Sequence, residues 1–116
     1  STLESTMTRT AYDLSEPKGL ESYAAKQAWQ MMAINAPSDV YGSVMDLWLP
    51  VASELWHRGE LIPDRWNYRP GATSDPREPD HWAFELLEEC PRGDLIAMGE
   101  RLADLYQELS DNGDTY

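Results

Sequence analysis

Apolar side chains recur at helical spacing through most of the chain from residue 20 onward. In LESYAAKQAWQMMAIN, Leu20, Tyr23 or Ala24, Gln27 or Ala28, and Met31 recur every three or four residues, leaving Lys26 and Gln30 for water. Good helix formers without an internal breaker predict a helix here, ended by Asn35, Ala36 and Pro37. Trp29 departs from this stripe and implies contact on a second side. A second helix is expected to run to about Arg58, with Ser38 as its N-cap, Asp39 favourably placed at the positive end of the dipole and Gly59 as its stop. Its apolar face comprises Val40 or Tyr41, Val44, Leu47 or Trp48, Val51, Leu55 and Trp56. Pro50 lacks an amide donor and clashes with the carbonyl four residues back, which predicts a kink between Asp46 and Pro50; two shorter helices meeting there are the alternative.

Residues 59 to 80 hold four prolines and two glycines and break the helical period, so they read as a long Pro-rich central loop. Its first half, which carries Trp66 and Tyr68 among Arg65 and Arg69, is expected to pack, and 71 to 79 to be mobile. A small hairpin around Leu61 and Tyr68 is a lesser alternative. Asp80 is read as the cap of a third helix through WAFELLEEC, with Trp82 or Ala83, Leu86, Leu87 and Cys90 on its apolar face. After Pro91, Arg92 and Gly93, Asp94 is read as the cap of a fourth helix whose inward positions are Leu95, Met98, Leu102, Leu105 and Leu109, with Gly99 marking a close crossing.

No run alternates long enough to demand a sheet, so the expected fold is all-α: a small four- or five-helix bundle with a kinked or broken second helix. The organisation read from the sequence is a flexible N-terminal arm over 1 to 19, a single helical domain over 20 to 110 and a frayed tail over 111 to 116. Leu3, Met7, Tyr12 and Leu14 are the residues that would pin the arm if it docks.

A chain of 116 residues suits one domain with a modest core. Charge changes the picture more than size: 21 acidic against 9 basic side chains give a net charge of −12, which makes free nucleic acid a poor partner. The acidity is concentrated. Residues 78 to 116 contain eleven carboxylates against Arg92 and Arg101, a balance of −9, whereas residues 1 to 77 balance at −3. Glu100, Asp104 and Glu108 follow one another at i,i+4, about 6 Å apart along a helix axis, and Glu85 and Glu89 extend the acidic surface. A solubilising face eased by local pairs such as Glu88 with Arg92 is the plainer account of these charges.

Chemical signatures are sparse. The sequence contains no glycine-rich phosphate loop, HExxH, GxSxG or cysteine cluster. Glu54 with His57, and Asp80 with His81, are the strongest metal or acid/base candidates, but a capping Asp80 and a Glu54–Arg58 pair account for them more simply. Neither cofactor nor metal is expected, and no residue is assigned a catalytic role. The single Cys90 reads as a buried structural thiol in a reducing, cytoplasmic setting. Ser1 to Arg9 lacks the pattern of a signal peptide, and no window is apolar enough for a membrane span. Trp48, Trp56 and Trp82 read as core.

Together these features describe an acidic protein-binding module, an inhibitor, adaptor or regulatory subunit of a partner with a basic surface. Its partner-binding residues would be Trp66, Tyr68, Arg69, Glu85, Glu89, Glu100, Asp104 and Glu108. In a more specific version the carboxylate row mimics the phosphates of DNA. A second reading is a small enzyme or ligand-binding domain with a pocket built from Tyr41, Glu54, His57, Asp64 and Tyr68. A third is a structural bundle that self-associates through Trp29 or the apolar face of the last helix.

Overall fold

Four α-helices and one turn of 3-10 helix make up the secondary structure of the computed structural model, which describes residues 12–68 and 82–114, apart from the side chains of Trp82 and Phe84. They are α1 (Tyr23–Asn35), α2 (Val40–His57), the 3-10 helix Asp64–Trp66, α3 (Trp82–Glu88) and α4 (Arg92–Asp111). No strand occurs among the described residues, so the chain there is all-α, and the 3-10 helix occupies the place where a hairpin was the alternative.

The most extensive packing joins α2 to α4, and α1 and α3 close the remaining sides. All five inward positions expected on α4, Leu95, Met98, Leu102, Leu105 and Leu109, are buried. They meet Val44, Leu47, Val51 and Leu55 of α2, which are buried too. On α1 the expected stripe is rotated: Ala24, Ala25, Ala28, Trp29 and Met32 are buried, whereas Tyr23 is exposed and Met31 half-buried. Three alanines on one side let neighbouring elements approach closely, and Trp29 fills the space between them. Its indole N–H donates to the Leu14 carbonyl at 2.8 Å. Trp56, expected in the core, is instead 51% exposed because it lies a third of a turn beyond the stripe that ends at Leu55.

The helix ends correct several capping assignments. Ser38 does not cap α2; the Asp39 carboxylate accepts from the Gly42 amide at 3.0 Å. Helix α2 then continues through Pro50 as one element rather than two. Gly59 ends it as expected: with φ of 80° it lets the Glu60 amide reach the Leu55 carbonyl at 3.0 Å and its own amide reach Trp56, a Schellman closure. The same closure ends α4 at Gly113, where the Asp114 amide reaches the Leu109 carbonyl at 2.8 Å. Helix α4 begins at Arg92, three residues earlier than expected, so Asp94 does not cap it. The buried Asp94 carboxylate instead accepts from the amides of Glu21 and Ser22 at 3.2 and 2.8 Å and thereby holds the start of α1. Asp80, the expected cap of α3, lies outside the described residues, as do 71 to 79 of the central loop and residues 1 to 11 of the arm.

Residues 12 to 14 lie against the helices. Arg101 donates to the Asp13 carbonyl at 2.7 Å, Tyr12 donates its hydroxyl to Asp114, and the Asn112 side-chain amide donates to that hydroxyl at 3.3 Å. The sequence segment read as an arm and the one read as a frayed tail therefore meet at Tyr12.

Candidate interaction surface

The 3-10 helix sets Arg65 and Trp66 against α4. Pro63 precedes it, and Asn67 follows in left-handed backbone (φ 57°), donating its amide to the Asp64 carbonyl at 3.0 Å. This turn directs Trp66 inward, where it is only 3% exposed. A methyl group placed on Gly99 would overlap the far edge of its indole ring. Gly99 thus marks a close approach, as expected, though by a tryptophan rather than by another helix. The indole N–H of Trp66 is buried and meets no acceptor among the described residues.

Arg65 points the other way, onto the acidic side of α4. It pairs with Glu100 through one amino group and with Asp104 through the other, the latter at 3.2 Å. Glu108 is taken by Arg101 at 3.3 Å. All three members of the carboxylate row therefore have an arginine beside them, and these contacts are solvent-accessible. Glu85 and Glu89 are exposed at α3 and its end. Arg92, the arginine expected to ease Glu88, reaches Glu60 at 2.6 Å. Arg69 lies outside the described residues.

Beside the Arg65–Asn67 turn is a cleft of about 260 Å³. Its apolar wall is Met45 and Trp48 of α2 with Ala103 and Tyr106 of α4; Arg65, Asn67 and Gln107 give it a polar rim. Tyr68 does not line it but stands edge-on to Trp48, with centroids 5.9 Å apart. Tyr106 in turn touches Tyr41, with ring centroids at 6.2 Å. The sequence signal for this cleft was partial: the aromatic content of the loop was visible, but Met45, Asn67 and Gln107 carried no pattern of their own. A second, more open groove of about 520 Å³ lies between Tyr12, Leu14, Pro37, Tyr41 and Asp114.

The residues read as a possible catalytic pocket do not converge. Glu54 is buried and paired with Arg58 at 2.8 Å, as its spacing indicated. Arg58 also donates to the carbonyls of Cys90, Leu87 and Glu88 at 2.8, 3.0 and 3.2 Å, closing the C-terminal end of α3. His57 is exposed, its Nδ1 lying 2.8 Å from the Ser53 carbonyl, and Asp64 is exposed at the start of the 3-10 helix. None of Tyr41, Glu54, His57, Asp64 and Tyr68 lines the cleft beside Trp66. No group of three potential metal ligands occurs among the described residues, and the Asp80–His81 half of the proposed metal set lies outside them.

Cys90 is buried, donates its thiol to the Leu86 carbonyl at 3.3 Å and has its pKa pushed up chiefly by burial. That combination keeps it protonated and suits a structural thiol. Trp29, one expected route to self-association, is only 1% exposed, and the apolar face of α4 is consumed by the core. Among the described residues no helix is long and apolar enough to cross a membrane. No family model, curated protein or solved structure matches this chain.

Proposed function

We propose that this protein is an acidic protein-binding module that inhibits, recruits or regulates a partner with a basic surface. The observation that carries the reading is the concentration of eleven carboxylates against two arginines in residues 78 to 116. Helix α4 supports it by burying one side and presenting Glu100, Asp104 and Glu108 on the other. Such a rigid array steers a cationic partner by long-range attraction and then fixes its register. The internal arginines fit this role, because exposed ion pairs contribute only about 0–1 kcal/mol and exchange readily for a partner's cations. If the partner's basic surface normally holds DNA, the carboxylate row competes with phosphates for it.

The test is affinity capture from the native cell with the intact protein, washed in parallel at low and high salt, followed by binding measurements on the recovered partner. Glu100→Gln, Asp104→Asn and Glu108→Gln together should weaken binding about tenfold or more and flatten its salt dependence. A DNA-binding partner should also be displaced by added duplex. Unchanged affinity in the triple variant would sink the proposal.

A further inference from the structure

Arg65 has two neighbours of opposite character: the carboxylates of Glu100 and Asp104, and the apolar cleft whose rim it forms. A cation and an apolar hollow lie side by side there, so a segment bearing a cationic residue next to an apolar one would satisfy both features at once. We infer that the cleft takes an apolar anchor side chain of a basic partner segment, and that Arg65 is an internal stand-in for the cation beside that anchor. The inference deepens the acidic-module reading and rests on it.

The occupant is argued from charge complementarity and size. A cleft of about 260 Å³ walled by Met45, Trp48, Ala103 and Tyr106 holds a leucine- or phenylalanine-sized side chain. The helix that supplies Ala103 and Tyr106 also supplies Glu100 and Asp104, so anchor and cation are read by one rigid element. Arg65 is half exposed, at 51% of its side chain, and so can be displaced without uncovering the core. Trp66, the next residue, stays seated while Arg65 moves, because its buried ring is packed against Gly99. In the free protein Arg65 screens the carboxylates; in the complex a partner lysine or arginine takes its place.

The experiment compares two fluorescent peptides of equal length and charge, one of lysines interspersed with leucines and one with glycines in place of the leucines. At low ionic strength the leucine peptide should bind the full chain about tenfold more tightly. Ala103→Met, which fills the cleft, should abolish that advantage while leaving the glycine peptide unaffected; Gln107→Leu at the exposed rim should strengthen the leucine peptide alone. Arg65→Gln should tighten both peptides severalfold by freeing Glu100 and Asp104. Circular dichroism establishes that each variant is folded, and Gln107→Leu keeps the test decisive if Ala103→Met is not. Equal binding of the two peptides, weakened in both by Glu100→Gln and Asp104→Asn, would overturn the cleft while leaving the acidic module intact. Binding of neither peptide would overturn both.

Discussion

Gly99 offers Trp66 a single hydrogen, and the indole edge occupies the space that any larger residue would claim. Gly99→Ala should therefore destabilise the protein by about 1–3 kcal/mol in urea unfolding, despite alanine's better helix propensity. Adding Trp66→Leu should return part of that loss, since the two changes share one contact. Asp94 makes a different kind of point. Burial raises its pKa, but hydrogen bonds from the Ser22 amide and hydroxyl and the Glu21 amide outweigh burial, so the carboxyl titrates below its ordinary value of 3.8. The unfolded chain then binds the proton more readily, so the stabilisation is fully present above that ordinary value and is lost as pH falls through the lowered one. Asp94→Ala should cost about 1.5–3 kcal/mol at neutral pH and flatten the acid limb of the stability profile, as measured by chemical unfolding at a series of pH values. The sequence showed that Asp94 stood at a helix start. It did not show which helix, because a carboxylate before an apolar run fits a local cap equally well, and the amides it serves lie more than seventy positions away.

At the level of elements, short-range chemistry was legible. Gly59 stops α2 through the left-handed backbone that glycine adopts at no steric cost, and the 3.6-residue period located every buried leucine of α4. The rotated face of α1 was not legible, because alanines mark a packing side only when the neighbouring element is known. Nor was the second task of Arg58. Its guanidinium joins the buried Glu54 carboxylate to three carbonyls at the end of α3, so one residue couples two elements. Arg58→Met should cost about 2 kcal/mol and loosen α3 in particular, seen as faster amide exchange at Leu86 to Cys90 than in the rest of the core. Arg58→Lys should recover only part of this, because an ammonium cannot span the same acceptors as a planar fork.

The whole molecule is held together by contacts that cross nearly its entire length. Tyr12, Asp13 and Leu14 reach Asp114, Arg101 and Trp29, so the N-terminal segment closes over the end of α4 and the side of α1. Removing residues 1 to 14 should lower the thermal midpoint by several degrees and red-shift tryptophan emission as the Trp29 N–H loses its carbonyl to water. An unchanged spectrum would show that these contacts contribute nothing. The candidate surface was legible at this scale as a charge gradient but not as a shape: composition located the acidity, whereas the cleft arises from the 3-10 turn between α2 and α4, which no periodicity announces.

The meeting of Tyr12 with Asp114 also makes the fold nearly ring-shaped in connectivity. Joining residues 12 and 114 by a short Gly/Ser bridge would close a covalent circle of about a hundred residues without moving a helix. In the simplest chain-entropy account such a closure removes about 4–5 kcal/mol of freedom from the unfolded chain alone. The gain would come from the state in which none of the native contacts exists.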